Sequence, residues 1–358
     1  MLGWIVSGLL AVYGGGAAYG RMMRRLENGA YPSPQEAEDE MAALAAAHAD
    51  LCRREVIGHS TEGRPLHAFR LRGMCAGDAP RPQLLITAHI HAVEYIGAYV
   101  ARSLSRRLVE GYGCAPKITD LLDRADVWLV PLLNHDGAAR VWQRGGWSSL
   151  GGTRFTANDV DPNRNFPGVP VSGRAAWNSA RDRPGSAYYR GPYPLSEPEC
   201  LALARLCARQ GFCAAVNFHS FGGVVFLPQV LGGDVSKATG ALAAFQGVFQ
   251  AHQRFLRYRP VAERSASIVG QLDPFLLNAF GTPSVTIEVS RPGLHLLWPL
   301  NTLNIFWWAN PWNPQRWADN DRDAAIYALW VLLERTGGTP CTPVYPQLAD
   351  GIEAPPTC

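Results

Sequence analysis

His91 and Glu94 stand three residues apart, and a histidine with a carboxylate at that spacing suits a borderline divalent metal. His219 brings a second imidazole from far along the chain. Two histidines and one carboxylate, with a fourth position left for water, make a catalytic zinc set. Such an ion lowers the pKa of a water toward ~7 and polarises a carbonyl. A carboxylate base must still take the water proton and pass it to a leaving amine. Glu288 suits that task, as a charge set among Val285, Ile287 and Val289, whose burial would raise its pKa. Asn163-Arg164 adds a planar guanidinium that can grip a carboxylate as a fork. His89 has no carboxylate three residues on and reads as packing.

These residues need elements to hold them. Leu84–Ala88 is a short apolar run that reads as a buried strand leading to His91. Phe212–Phe218 is another, ending at His219, and Ser284–Val289 is a third, carrying Glu288. Glu55–Gly58 and Leu66–Leu71 are strands joined by a turn at Glu62-Gly63-Arg64. Val127–Leu133 is a strand ending in an Asn134-His135-Asp136-Gly137 turn. Ser33-Pro34-Gln35-Glu36 opens a helix to about His48. Ile96, Val100, Leu104 and Leu108 give a second helical stripe. Further helices are expected over 196–210, 239–252 and 322–335. Residues 144–195 are rich in Gly, Pro, Asn and Ser, and such a stretch is either disordered or functional. Strands alternating with helices predict an α/β sheet covered on both faces, with its site beyond the carboxyl ends of the strands.

Bulk properties limit the alternatives. A net charge of +3 over 358 residues, with no basic stripe, argues against nucleic acid. Residues 1–20 carry no charge, and Arg21, Arg24 and Arg25 follow. About 20 apolar residues can span a bilayer, so membrane association through residues 1–20 is one expectation. Three readings of residues 1–25 stay open: an atypical signal peptide, an anchor, or a mis-assigned start. Export or anchoring is favoured. The eight cysteines include no CxxC pair. Cys200 and Cys207 fall on one helix, roughly 10 Å apart, too far for a disulfide. Cys341 and Cys358 could tether the tail.

The ordered set His91-x-x-Glu94, Val160-Asp161-Pro162-Asn163-Arg164-Asn165-Phe166-Pro167, Phe218-His219-Ser220 and Thr286-Ile287-Glu288-Val289 resembles the zinc carboxypeptidases of the carboxypeptidase A type. Glu62-Gly63-Arg64-Pro65 and Asn134-His135-Asp136-Gly137 resemble them too. The resemblance implies a single α/β domain over residues 31–336, with a twisted mixed sheet and helices on both faces. A Pro-rich tail, 337–358, follows it. The resemblance implies one Zn2+ on His91, Glu94 and His219, with Glu288 as general base. Asp161 would fix the tautomer of His91. Asn163 and Arg164 would clamp the terminal carboxylate of a peptide substrate. A further arginine should stabilise the oxyanion, taken from the segment before the Asn-Arg pair. Arg144 is the expected donor and Arg140 the runner-up.

The chain departs from the pattern in places. Ser265 stands where the family carries a substrate-capping tyrosine, and no tyrosine lies between 259 and 290. Val93 replaces an arginine and His135 a proline. The missing tyrosine keeps a second enzyme reading open, a zinc amidohydrolase acting on N-acyl amino acids or cell-wall peptides. A third is a binding protein that retains the fold without turnover. By the resemblance, the residue before Asp273 sets side-chain preference, and Leu272 stands there, which implies apolar or aromatic C-terminal residues. Matched blocked dipeptides ending in Phe should be cleaved faster than those ending in Arg, and the reverse order would overturn the preference.

Overall fold

The computed structural model describes residues 31–74, 80–146, 152–168, 182–228, 236–263, 269–292 and 304–352. The leader, Cys75, Ser265 and Cys358 lie outside the described residues, and so does any Cys341–Cys358 tether. Helix α1 (Pro34–Ala47) starts on a reciprocal cap: Glu36 N–H donates to the Ser33 hydroxyl, and Ser33 N–H donates to the Glu36 carboxylate. Strands β1 (Cys52–His59) and β2 (Pro65–Leu71) form an antiparallel hairpin. After β3 (Gln83–Ala88) come α2 (Tyr95–Gly111), α3 (Pro116–Arg124), β4 (Asp126–Val130) and α4 (His135–Gln143). The second half runs α5 (Pro198–Gln210), β5 (Ala214–Ser220), β6 (Val224–Pro228), α6 (Ser236–His252) and β7 (Arg259–Glu263). It ends with α7 (Leu272–Phe280), β8 (Ser284–Val289), the short α8 (Phe306–Ala309) and α9 (Pro314–Thr336).

The strands form one mixed sheet in the order β1-β2-β4-β3-β5-β8-β6-β7. Its centre, β4-β3-β5-β8, is parallel throughout. The chain leaves β3 first toward β4 and later toward β5, so the order reverses between β3 and β5. A crevice opens at such a switch point, beyond the carboxyl ends of the strands.

Alternation assigns the two faces. Leu84, Ile86, Val216, Phe218, Val285 and Ile287 join α2, α6 and α9 in the larger core. Leu85, Trp128 and Ala215 face α5 and α7 in the smaller one, with Phe166, Leu203 and Phe275. The smaller-core face turns polar toward the strand ends. There Asn217 of β5 and Ser284 and Thr286 of β8 donate to the buried Asp273 of α7, while Thr87 of β3 donates to Asn217. This column ties the three central strands together below the site.

The α/β class with one sheet covered on both faces agrees with the sequence reading. Several elements differ. Asn134-His135-Asp136-Gly137, expected as a turn, opens α4, because the Asn134 side chain accepts from Gly137 N and caps the helix. β4 stops at Val130, before Pro131. Helix α9 starts at Pro314, under an Asn313 cap, eight residues earlier than expected. α3, β6, β7 and α7 were not anticipated. The tail packs back on the domain as far as it is described: Cys341 N donates to Gly281 O and Tyr345 N to Asn278 O. Among the described residues no helix is long and apolar enough to cross a membrane.

A buried relay fixes the far end of β8. Ser290 N donates to the Tyr258 hydroxyl, which donates to Asp321 of α9. Asp321 also accepts from Gln253 and Asn320. Burial outweighs these bonds and lifts its carboxyl to a pKa of about 7. A raised folded-state pKa gives stability that is complete below the unfolded value and is lost as pH rises through about 7. Unfolding free energy should therefore fall between pH 5 and pH 8, and Asp321→Asn should shrink that fall by an amount on the order of a few kcal/mol. An identical pH dependence in the variant would refute the assignment.

Candidate active site

His91 lies three residues past the end of β3, with His89 at a positive φ of 57° turning the chain out of the strand. The loop is strapped on both sides. Val93 N donates to Thr153 O, and Asn310 donates to Val93 O while accepting from Ile96 N. Asn134 N donates to His89 O, and its side-chain amide donates to Ile90 O and Phe155 O. Asn134 therefore joins the His91 loop to residues 153–155. Its neighbour Asp136 accepts from Glu62 N and Ser60, and pairs with Arg64. The Glu62-Gly63-Arg64 and Asn134–Gly137 segments, distant in sequence, thus brace one corner.

Glu94 lies at the start of α2 and presents its carboxylate to two imidazoles. Oε1 is 2.7 Å from His91 Nδ1, and Oε2 is 2.9 Å from His219 Nδ1. All three residues are buried, and ligand atoms from them lie within 4.8 Å of one another. Oε2 makes no hydrogen bond, although it is buried. A buried carboxylate oxygen without a proton donor, facing an imidazole nitrogen, fits a shared cation. Burial opposes charge on Glu94, but His91 and His219 outweigh it and hold the carboxyl well below its usual range. Close approach of α2 to β5 is required here. A Cβ on Gly97 would lie 2.9 Å from Phe218 O and 3.4 Å from His219 N.

Asp161 is fully buried behind His91. Its Oδ1 lies 3.3 Å from His91 Nε2 and accepts from Asn163 N at 3.0 Å. Its Oδ2 accepts from Arg154 Nε at 3.0 Å. Burial opposes its charge as well, but Arg154 and Arg164 override it and hold the carboxyl well below its usual range. Pairing with Asp161 and Glu94 in turn keeps Arg154 charged against burial. An Arg154 terminal nitrogen is 2.8 Å from His91 Nε2.

Arg164 and Asn163 are buried on the short helical turn Pro162–Arg164. Asn163 Oδ1 accepts from Leu272 N at 2.9 Å. The Leu272 side chain is itself buried, in the cluster that holds Phe166 and Phe275. Glu288 is half-buried, between the buried Ile287 and Val289. In the parallel register it pairs with His219, on the same sheet face.

The arginine segment resolves differently from the sequence reading. Arg144, the expected oxyanion donor, is exposed at the C-cap of α4. Arg140 donates to Ala157 O and Glu62, away from the histidines. Arg154 is the one that meets His91 and Asp161. It lies in the same segment, seven residues before Asp161, and spacing alone could not choose among the three. Of the other departures, Val93 is buried in the strapped loop, and His135 is buried with neither ring nitrogen hydrogen-bonded.

The chain matches the zinc carboxypeptidase family over residues 37–307. It belongs to that family. Its cofactor is accordingly Zn2+, and the His-Glu-His cluster has the donor set for it. Carboxypeptidase A4 of Mus musculus is 30% identical over 220 residues, 60% of this chain and 50% of the relative. Carboxypeptidase A2 of Mus musculus is 31% identical over 207 residues, 56% of this chain and 47% of the relative. The match thus spans about half the length of these relatives. Bovine thrombin-activatable fibrinolysis inhibitor superposes with a TM-score of 0.67 at 20% identity, covering 86% of this chain and 97% of that one. A metallo-carboxypeptidase from Burkholderia cenocepacia gives 0.59 at 20% identity, covering 83% and 69%. At such identity the likeness is one of fold.

Gly97→Ala should push α2 off β5 and part Glu94 from His219. The expected outcome is a loss of roughly 1–3 kcal/mol of stability and weaker zinc retention against a chelator. Unchanged zinc retention would show that the close approach is dispensable.

Proposed function

We propose that this protein is a metallocarboxypeptidase that removes the C-terminal residue of peptides. His91, Glu94 and His219 would hold Zn2+, which when bound supplies a Lewis acid for the scissile carbonyl and an acidified water. Glu288 takes a proton from the attacking water and delivers it to the leaving amine. Arg154 faces the developing oxyanion, where a half-buried guanidinium can act as a preorganised donor. This assignment replaces Arg144, which is exposed. Asp161 accepts a hydrogen bond from the Nε2–H of His91, which leaves the Nδ1 lone pair for the ion. Arg164, with the Asn163 amide, grips the terminal carboxylate and so counts one residue from the end of the chain. Leu272, whose backbone N–H donates to Asn163 Oδ1, stands beside the clamp, and its apolar type supports a preference for apolar and aromatic C-terminal residues.

One observation carries the reading. His219 and Glu288 pair across adjacent parallel strands, at the end of the sheet where His91 and Glu94 meet His219. A peptide bond placed there would meet an ion on one side and a carboxylate base on the other. Ser265, where the family's tyrosine would stand, lies outside the described residues.

The test uses blocked dipeptides and the zinc-loaded protein. Glu288→Gln should keep zinc and lose about 10²–10⁴-fold in kcat. Arg154→Ala should lose about 10²–10³-fold, and Arg144→Ala about nothing. A C-terminal amide should resist cleavage. Near-wild-type turnover by zinc-loaded Glu288→Gln would sink the mechanism.

A further inference from the structure

Tyr188 lies on the segment after residue 181, outside every regular element, and is 47% exposed. Its ring lies 5.3 Å from the Arg154 guanidinium carbon and 5.5 Å from that of Arg164. Both distances fall within cation–π range. A single exposed tyrosine near one arginine would be ordinary surface packing. Here the two arginines are those assigned to the oxyanion and to the substrate carboxylate, and one ring meets both.

The placement is held by the backbone around it. Asp161 N donates to Tyr189 O at 2.8 Å, directly beside Tyr188. Asn165 donates to Arg190 O and Tyr193 O, and Leu195 N donates to Asn165 O. Tyr188 N donates to the Ser186 hydroxyl, and Tyr189 N to Ser186 O. The segment that carries Asp161, Asn163 and Arg164 therefore also fixes the loop that displays Tyr188. An aromatic ring held at the rim of two like-charged guanidiniums presents its negative face to both and opposes their repulsion.

We infer that Tyr188 is a substrate-binding residue of this site, its ring forming the outer wall of the carboxylate clamp where the family's tyrosine is absent from positions 259–290. The inference rests on the carboxypeptidase reading. The ring keeps the Arg164 fork in place, while Arg154 is held by Asp161, and it gives an apolar surface to the terminal side chain. The ring face acts, so phenylalanine should serve in its place.

The test is binding of 3-phenylpropanoate to the full-length, zinc-loaded protein by calorimetry, alongside kinetics on a blocked dipeptide. Tyr188→Ala should weaken the carboxylate about tenfold and raise KM about tenfold, with kcat nearly unchanged and the same melting temperature. Tyr188→Phe should stay close to wild type. Wild-type affinity in Tyr188→Ala overturns the inference, and so does a Phe variant that falls as far as the Ala variant. If the wild type does not bind the carboxylate, or Arg164→Ala binds it as well as wild type, the clamp itself is wrong and the inference falls with it.

Discussion

The site is built around one carboxylate with no access to water. Asp161 faces His91 and Arg154, caps the turn that presents Asn163 and Arg164, and through its backbone anchors the loop of Tyr188. A buried charge of this kind persists only when opposite charge and hydrogen bonds surround it, and removing one partner typically costs about 3–5 kcal/mol. The metal cluster, Arg154 and the Asn163-Arg164 turn therefore cannot be placed independently. Each is a partner that the desolvated Asp161 requires.

The sheet gives that cluster its location. Four central parallel strands send their carboxyl ends to the same edge, and β3 and β5 flank the point where the strand order reverses. Residues on one face of a strand recur at every second position. His219 and Asn217 thus share a face of β5, as Glu288 and Thr286 share one of β8. The lower pair, Asn217 and Thr286, is locked by Asp273, and the upper pair, His219 and Glu288, stands two residues nearer the strand ends. Apolar residues on the opposite face bury the strands against α2, α6 and α9. The same alternation that builds the core therefore sets the polar side chains in a row.

Much of this was legible in order. Glu288 stood out as a charge in an apolar run, and His91-x-x-Glu94 as a ligand pair after a strand. The capped helix at Ser33 read correctly because its signals are local. Other elements were hidden for local reasons too. The residues at 134–137 suit a turn and a helix start equally, since an Asn that bonds its own backbone does so in both. β6 and β7 are short strands at one edge, with proline in each, and proline argues against a strand.

The sequence by itself determined which chemical groups were on hand: two imidazoles, the carboxylates and an Asn-Arg pair, in an order specific enough to name a family. It also determined the α/β class, because strand and helix periodicities are local properties of the chain. Only the tertiary structure decided which arginine lies against the metal cluster. Arg140, Arg144 and Arg154 are equivalent by composition and close in sequence, yet only Arg154 is set against His91 and the buried Asp161. Likewise Tyr188 lies in an aperiodic stretch whose course nothing local dictates. Its meeting with Arg154 and Arg164 comes from backbone bonds to the Asp161–Asn165 segment. Which charges share a buried space depends on non-local packing, and spacing along a chain does not encode it.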